Sequence, residues 1–182
     1  MHYLKLNKIN NFFVHDTAEV SSEAEISKGA KIWHYCQIRA GVKIGENCIL
    51  GKNVYIDFGV KIGDNCKIQN NCSIYHGAVI EDGVFIGPHV VLTNDNNPRA
   101  INPDGSLKSA DQWKVGKIIV KSGASIGANS VVLPNVTIGR FALIGAGSVV
   151  TKNVQDYSLV YGNPAQKYGK VDKLGNISRI NK

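Results

Sequence analysis

Residues 42–71 read VKIGENCILGKNVYIDFGVKIGDNCKIQNN, with an aliphatic residue at every sixth position. The same spacing runs without a break for thirteen repeats, from Val20 to Leu92. A second apolar series of mostly Ala, Val and Cys stands two residues before the first. Because residues i−2 and i of a strand share a face, each hexad sends two side chains inward. A fixed period of six predicts a β-solenoid, in which short strands and corners repeat along one axis.

The residues between the apolar pairs suit tight corners. Glycine often follows the aliphatic residue and asparagine often stands two positions later, as in Gly45 and Asn47. Both residue types tolerate left-handed backbone angles. Three hexads make one triangular coil, so residues eighteen apart are expected to stack at about 4.8 Å.

The period breaks once. The next aliphatic in register after Leu92 is Val120, and the interval between the two is not a multiple of six. Residues 93–117 are therefore predicted to leave the solenoid as a loop, and loops of this length are usually functional. We expect one domain, with an N-terminal cap at 1–19, a solenoid at 20–154 and a C-terminal tail at 155–182.

The charge is uneven along the chain. The net charge of +7 divides into −1 for residues 1–98 and +8 for residues 99–182. A basic half suits nucleic acid, a polyphosphate cofactor or simply a solvated surface. Nucleic acid is disfavoured, since the basic residues are scattered and lack an aromatic platform or a recognition-helix pattern.

The four cysteines indicate a reducing compartment. All of them fall in the inward series, at Cys36, Cys48, Cys66 and Cys72, where they act as small buried apolar residues rather than as disulfides or metal ligands. No apolar run is long enough to cross a membrane, and the N-terminus lacks the apolar segment of a signal peptide. We expect a cytoplasmic protein without a metal.

Residues eighteen apart point to a catalytic pair. His76 and Asn94 both stand at corners, and Asn94 opens the predicted loop. A histidine beside a loop-lined cleft can take a proton near neutral pH, which makes His76 the first catalytic candidate. The alternative for His76 is an exposed corner histidine without a function. His34, which stacks two coils from Asn70, and His89, which stacks over Asn71, are its competitors. His34 could equally contact the substrate or have a structural role, and we count it among the substrate-binding candidates.

Other polar residues suit an acceptor or a cofactor. Asp95 could fix the acceptor or orient an imidazole, Glu81 is a further polar candidate, and the guanidinium of Arg99 suits a phosphate or a carboxylate. Trp33 should point outward, as a contact between subunits or as a platform on which a base stacks. Small residues at Ala128 and Ala146 leave backbone amides open to a ligand along the solenoid.

The sequence resembles the hexapeptide-repeat acyltransferases over about residues 14–168, through its repeated [LIV]-G-x-N-x-x motif. That resemblance implies an all-β, left-handed parallel β-helix. The segments IWHYCQI, NPRA, GASIGANSVVLPNVTIG and LVYGNPA are more narrowly similar to the nucleotide-linked amino-sugar N-acetyltransferases, which act on UDP- or dTDP-linked 3-amino sugars for surface polysaccharides such as lipopolysaccharide O-antigen. This resemblance implies acetyl-CoA as the donor, a homotrimer, and active sites between subunits.

The narrower resemblance also assigns residues. On the acceptor side it implies Asn70, His76, Glu81, Asn94, Asp95 and Arg99. On the cofactor side it implies Gly127, Ala128, Gly145, Ala146 and Lys152, with Pro164 and Ala165 near the adenine. A neutral sugar amine is already a nucleophile, so His76 either takes a proton or only holds the amine, and the leaving thiolate can accept the proton instead.

Three rival functions are weighed against this one. An O-acetyltransferase would need a base more strictly. A zinc hydratase would need three converging histidines, but the interval from His76 to His89 is not a multiple of a coil, and His34 shares no paired-ligand motif with them. A non-catalytic scaffold is disfavoured by the specialised loop. The nucleotide, the sugar and the choice between the 3- and 4-amino positions stay open.

Overall fold

The computed structural model describes residues 11–179, which form short β-strands and one 3₁₀ helix. The strands are, in chain order, β1 (Phe13–Val14), β2 (Glu19–Val20), β3 (Glu25–Ile26), β4 (Lys31–Ile32), β5 (Gln37–Ile38), β6 (Lys43–Ile44), β7 (Ile49–Leu50), β8 (Tyr55–Ile56), β9 (Lys61–Ile62), β10 (Lys67–Ile68), β11 (Ser73–Ile74), β12 (Ala78–Ile80), β13 (Phe85–Ile86), β14 (Val91–Leu92), β15 (Ile118–Val120), β16 (Ser125–Ile126), β17 (Val131–Val132), β18 (Thr137–Ile138), β19 (Leu143–Ile144), β20 (Val149–Val150), β21 (Ser158–Gly162), β22 (Ala165–Val171) and β23 (Ile177–Arg179).

Every third strand joins the same sheet. Sheet 1 has the order β1-β4-β7-β10-β13-β16-β19-β21-β22-β23, sheet 2 the order β2-β5-β8-β11-β14-β17-β20, and sheet 3 the order β3-β6-β9-β12-β15-β18. We name the corners after the sheets they join: corner 1/2, corner 2/3 and corner 3/1. The strands within each sheet are parallel up to β21, and the predicted left-handed β-helix is confirmed.

The register fixes the length of a coil. Lys31 lies beside Ile49 and Ile32 beside Leu50, so a regular coil returns to the same sheet after three hexads. Ile86 lies beside Ile126, and the insertion therefore more than doubles the length of that one coil. The insertion leaves after β14 and returns at β15, which places it at corner 2/3.

The core is the column of inward residues that the period predicts. The aliphatic positions from Ile32 to Leu92 are 4% exposed or less, and the smaller residues two positions earlier are buried with them. Burying one such aliphatic side chain stabilises the fold by about 1.5–3 kcal/mol. The outward residues of the same strands, such as Lys43 and Lys61, remain exposed, which gives each two-residue strand one inner and one outer face.

The buried thiols also donate hydrogen bonds. Cys36 Sγ donates to the carbonyl of Gly51 at 2.9 Å, and Cys72 Sγ donates to the carbonyl of Gly87 at 3.0 Å. Ser130 occupies the equivalent position further along and its hydroxyl donates to Gly145 at 3.1 Å. The prediction that the cysteines are small buried residues is confirmed, and hydrogen bonding to a corner carbonyl is an additional role.

Strand pairing extends into both predicted end segments, the cap at 1–19 and the tail at 155–182. β1 lies inside the range 1–19 and pairs with β4, because Phe13 and Val14 continue the apolar pattern of the coils. The range 155–182 contains β21, which extends sheet 1, and β22 and β23, which add to it in antiparallel orientation. Parts of both predicted segments, residues 1–10 and 180–182, lie outside the described residues.

No helix within residues 11–179 combines the length and the apolar character that a bilayer span requires.

The buried thiols yield a prediction about reactivity. Burial raises the pKa of the Cys72 thiol to about 11 and also raises the pKa of Cys36. At pH 8 roughly one Cys72 in a thousand is then a thiolate, which is the reactive form. The pKa of Cys48 is instead lowered, by its hydrogen bond with Cys66, but all four cysteines are 1% exposed or less. Because burial blocks access of the reagent, we expect titration of the folded protein with a chromogenic disulfide reagent at pH 8 to find all four thiols protected. The same titration in guanidinium should find four reactive thiols; fast reaction of the folded protein would contradict the burial.

Candidate functional site

His76 stands at corner 2/3, between β11 and β12, on a platform made by the preceding coil. Its imidazole stacks on the ring of Phe58, with centroids 3.9 Å apart and planes 15° apart. Its Nδ1 lies 2.8 Å from the carbonyl oxygen of Phe58. A carbonyl can only accept, so Nδ1 carries the proton and Nε2 of the neutral ring is an acceptor. This arrangement directs the basic nitrogen away from the backbone.

Asp57 organises the platform under His76. Its side chain is 5% exposed, and its two carboxylate oxygens accept the backbone N–H groups of Phe58 at 2.9 Å and of His76 at 3.2 Å. The same carboxylate accepts the hydroxyl of Tyr55 at 2.9 Å and pairs with the guanidinium of Arg39 at 3.3 Å. The buried charge is thus satisfied, and it holds the two residues that orient the imidazole.

Asn94 connects His76 to the base of the loop. The side chain is 7% exposed, and its Nδ2 donates to the carbonyl of His76 at 3.2 Å. Its own carbonyl accepts from the N–H of Gly116, which closes the loop where the chain returns to the solenoid. The structure therefore brings the predicted pair together, with the Asn94 amide bonded to the His76 backbone; a catalytic role for Asn94 stays a prediction.

The loop carries the other candidates at corner 2/3. Asp95 accepts the N–H of Asn97 at 2.8 Å, while the guanidinium of exposed Arg99 donates to the carbonyl of Pro98 at 2.8 Å. The loop folds back on itself through a bridge between Ile101 and Leu107 and contains the 3₁₀ helix Ala110–Gln112. Neither side chain forms a hydrogen bond or an ion pair with His76, so their place on the acceptor side stays a prediction.

Corner 1/2 contains both capped and open backbone N–H groups. In the third coil the N–H of Lys52 is capped by the side-chain oxygen of Asn70, one coil further on, at 2.8 Å. The equivalent N–H groups of Ala128 and Ala146 find no acceptor within residues 11–179. The prediction that small residues leave amides open at this corner agrees with this geometry, because the alanine above Ala128 has no capping oxygen.

Glycine at this corner makes space for those amides. A Cβ on Gly87 would lie 2.7 Å from the nitrogen of Ala128, and one on Gly127 would collide with Ala146. Gly127 and Gly145 thus have packing reasons to be glycine. Whether they also contact a cofactor stays a prediction.

The two histidines of corner 1/2 have different neighbours. His34 is half-buried and lines one open cavity together with Asn70, as their spacing of two coils predicts. His89 is exposed, and its Nε2 lies 3.2 Å from Nδ2 of Asn71, as predicted.

Glu81 lies apart from the other candidates, at corner 3/1. Its carboxylate accepts both the N–H and the hydroxyl of Ser122, at 2.9 and 2.8 Å, and these bonds lower the pKa of Glu81. The pair joins the coils on either side of the insertion. This structural role accounts for the acidic residue, and contact with a substrate stays a prediction.

The last candidates lie at the C-terminal end. Lys152 and Ala165 line one open cavity of about 320 Å³, whereas Pro164 is exposed in the turn between β21 and β22. The hydroxyl of Ser158, which also lines this cavity, is buried and has no partner among the described residues. The second lysine of the cavity, Lys167, donates to Gln155 at 2.9 Å.

The predicted residues therefore occupy three corners of one chain. Corner 2/3 carries His76, Asn94, Lys152 and the loop, corner 1/2 carries His34, Asn70 and the small residues, and corner 3/1 carries Glu81. Sheet 2 separates corner 1/2 from corner 2/3. No group of three or more His, Cys, Asp or Glu side chains that could hold a metal occurs in the part of the chain that the structure describes.

Sequence reasoning missed Asp57, Phe58, Tyr55 and Arg39. The sequence does contain the spacing that could have identified them. Arg39 and Asp57 are eighteen residues apart, and so are Phe58 and His76, so each pair is expected to meet between successive coils. Opposite charges at that spacing indicate an ion pair between coils, and an aromatic residue under a histidine indicates a stack.

Comparison with known sequences gives the family. The profile described as bacterial transferase hexapeptide (six repeats) matches residues 23–57, 59–94 and 117–152. The profile described as hexapeptide repeat of succinyl-transferase matches residues 41–76.

Three relatives are informative. The dTDP-3-amino-3,6-dideoxy-α-D-galactopyranose 3-N-acetyltransferase of Aneurinibacillus thermoaerophilus is 59% identical over 56 residues, which are 31% of this chain and 29% of that protein. The galactoside O-acetyltransferase of Lactococcus lactis is 31% identical over 134 residues, which are 71% of this chain and 63% of that protein. The matches therefore span less than two thirds of either relative. A hexapeptide-repeat acetyltransferase from Vibrio cholerae, solved with acetyl-CoA, has a TM-score of 0.62 and 26% identity over 72% of each chain.

The hydrogen bonds to the buried Asp57 carboxylate can be tested with a matched pair of substitutions. Tyr55→Phe removes the hydroxyl that donates to the buried Asp57 carboxylate and accepts a long hydrogen bond from Arg39 at 3.4 Å, and we expect it to lower the free energy of unfolding by about 1.5–3 kcal/mol. Tyr75→Phe is the control: its ring is half-exposed and packs 5.6 Å from that of Tyr55, and the change should stay within about 0.5 kcal/mol. Denaturant unfolding of the two variants measures the difference. An equal loss of unfolding free energy in both would contradict a stabilising role for the hydrogen bonds to Asp57.

Proposed function

The chain belongs to the bacterial hexapeptide transferase family, and we propose that it is an acetyl-CoA-dependent N-acetyltransferase. Its acceptor is the amino group, at C3, of a UDP- or dTDP-linked amino sugar used for surface polysaccharide such as lipopolysaccharide. We further propose that the enzyme is a cytoplasmic homotrimer in which two subunits form each active site. The placement of candidates on two corners, separated by sheet 2, supports a site shared between chains.

The observation that carries the reaction type is the fixed imidazole of His76. Its Nδ1 is committed to the carbonyl of Phe58, so Nε2 is available to accept a proton from a nucleophile. The choice of a sugar amine rests on the 59% identity to the dTDP-amino-sugar N-acetyltransferase. The basic C-terminal half suits the phosphates of both substrates.

The open amides of corner 1/2 suit the donor. The unpartnered N–H groups of Ala128 and Ala146 lie one coil apart and can donate to the amide carbonyls of the pantetheine arm. Acetyl-CoA would lie along this edge, with the turn at Pro164 and Ala165 toward its adenine end. Lys152, at corner 2/3, would approach that end through the cavity that it lines together with Ala165. The family relative from Vibrio cholerae was solved with acetyl-CoA, which supports the same donor here.

The reaction transfers the acetyl group in two steps. The nitrogen lone pair of the neutral amine attacks the thioester carbonyl, a C–N bond forms, and the carbonyl electrons move to the oxygen. A backbone N–H can stabilise that oxyanion. The C–S bond then breaks and the thiolate of CoA leaves. His76 Nε2 takes the ammonium proton and passes it to the thiolate, or the thiolate accepts the proton directly. The remaining rate acceleration comes from holding the amine and the thioester in the right geometry.

A specific observation favours a second candidate, an O-acetyltransferase. The galactoside O-acetyltransferase relative matches 71% of this chain, a longer alignment than that to the N-acetyltransferase. A hydroxyl is a weak nucleophile at neutral pH, so this reaction depends on a general base, which the oriented His76 would supply.

An acceptor panel distinguishes the two candidates. We expect release of the CoA thiol from acetyl-CoA with a UDP- or dTDP-linked 3-amino sugar, and no release with the matched 3-hydroxy sugar. The two sugars differ only in the group at C3, so a difference in rate assigns the nucleophile. Reaction of hydroxyl sugars alone would overturn the proposal in favour of O-acetylation.

The role of His76 has its own test. With an amine acceptor, His76→Ala should lower kcat by less than about tenfold at a pH where the amine is neutral, whereas loss of an obligatory general base costs about 10²–10⁴-fold. His89→Ala is the matched control, since that exposed imidazole pairs with Asn71 at another corner. Steady-state kinetics across pH measures both; a loss above 10²-fold would make His76 an obligatory base.

A further inference from the structure

Two nearly parallel aromatic rings, those of Trp33 and His34, stand at corner 1/2 in the second coil, and we call them the Trp33–His34 shelf. The rings of Trp33 and His34 are nearly parallel, with 7° between their planes and 6.1 Å between their centroids. Each is supported from the first coil: Phe13 lies 5.2 Å from Trp33, and His15 stacks at 3.5 Å on His34. Trp33 is nonetheless 38% exposed, because the opposite side of the shelf is open.

The open side of the shelf is a slot. Its other walls come from the third and fourth coils: Gly51 and Lys52 belong to the third, and Gln69 and Asn70 to the fourth. The cavity that these residues enclose with Trp33 and His34 measures about 320 Å³, at the lower end of small-molecule sites.

The height of the slot follows from the solenoid. Trp33, Gly51 and Gln69 are successive members of one column, so two coil heights, about 9.6 Å, separate Trp33 from Gln69. Gly51, between them, has no side chain, and a Cβ there would collide with Asn70. A planar ring inserted between two layers needs about 9 Å, twice the shortest ring-centroid separation of about 4.5 Å for aromatic pairs. One flat ring therefore fits on the shelf.

The groups around the slot suit a pyrimidine nucleotide. The side-chain amide of Gln69 and Nδ2 of Asn70 have no partner within the described part of the chain, and amides complement the imide edge of thymine or uracil. The ammonium of Lys52 lies 5.7 Å above the ring of Tyr35, at the side of the slot, where it can meet a phosphate.

We propose that the Trp33–His34 shelf binds the nucleobase of the acceptor, with the base stacked on the rings and its edge toward Gln69 and Asn70. This rests on the proposed function for the identity of the nucleotide. The shelf and the proposed donor site lie at different levels of the solenoid. The shelf lies about two coils, roughly 10 Å, on the N-terminal side of His76. The open amides of Ala128 and Ala146 lie on its C-terminal side.

The chain offers a direct optical test, because Trp33 and Trp113 are its only tryptophans. In the Trp113→Phe variant, Trp33 is the sole indole. We expect dTDP or UDP to quench its emission with saturation, and CoA to leave it unchanged. Quenching by CoA would assign the shelf to adenine and overturn the proposal, as would the absence of any response to both pyrimidine nucleotides.

Calorimetry with dTDP or UDP, whichever binds, supplies the second test. Trp33→Ala should weaken binding at least about fivefold, from the range measured for stacking of one base on an aromatic side chain, and Trp33→Phe should weaken it less. Phe85→Ala is the control, an equally exposed aromatic on sheet 1, and should change nothing. Unchanged binding in Trp33→Ala would overturn the shelf; circular dichroism of each variant confirms that it folds.

The two proposals fail separately. Nucleotide binding on Trp33 without acetyl transfer to any amine would leave the shelf and overturn the proposed function. Acetyl transfer to a nucleotide-linked amine with an unchanged acceptor KM in Trp33→Ala would leave the function and overturn the shelf.

Discussion

In the regular coils, hydrogen bonds between successive coils place each residue beside the residue eighteen positions later, and the remaining contacts depend on that register. The parallel pairing of Lys31 with Ile49 repeats through all three sheets. It turns the sequence into columns, so that a side chain meets the same position of the next coil at about 4.8 Å. The stack of His76 on Phe58 and the ion pair between Arg39 and Asp57 both follow from this register. Neither contact joins residues that are more than one coil apart.

At several corners a side-chain oxygen of one coil accepts the backbone N–H of the preceding coil. The candidate binding edge contains backbone N–H groups that lack such a cap. Asp64 caps the N–H of Glu46 and Asp82 caps that of Asp64, just as Asn70 caps Lys52. The first two caps lie at corner 3/1. At corner 1/2, Ala146 has no side-chain oxygen that could cap the N–H of Ala128, and the N–H of Ala146 itself finds no acceptor within residues 11–179. An unpaired backbone donor is costly only when it is buried away from water. At an open corner it is instead a group that a bound carbonyl can use.

The sequence predicts well which residues stack between successive coils, and it predicts poorly how their side chains are oriented. Period six determines which residues face inward and which histidine meets which asparagine, because both follow from the backbone repeat. It does not determine rotamers, so the capture of four donors by Asp57 and the bond from His76 Nδ1 to Phe58 appear only in the structure. Glu81 illustrates the same limit: an acidic corner residue has equal reason to meet a ligand or to join two coils, and here it joins them through Ser122.

The order of residues along the axis gives the solenoid a polarity that a symmetric repeat lacks. Corner 1/2 carries the rings of Trp33 and His34 near its N-terminal end, Asn70 further along, and the small residues around Ala128 and Ala146 near its C-terminal end. Bulky rings provide surface for stacking, whereas small residues expose backbone. Under the proposed reaction this gradient orders the two substrates along one axis, the nucleobase at the N-terminal end and the pantetheine at the other. The level of His76 lies between them, where the amine and the thioester must meet, and a neighbouring chain can bring its corner 2/3 to that level because all copies share the same coil spacing.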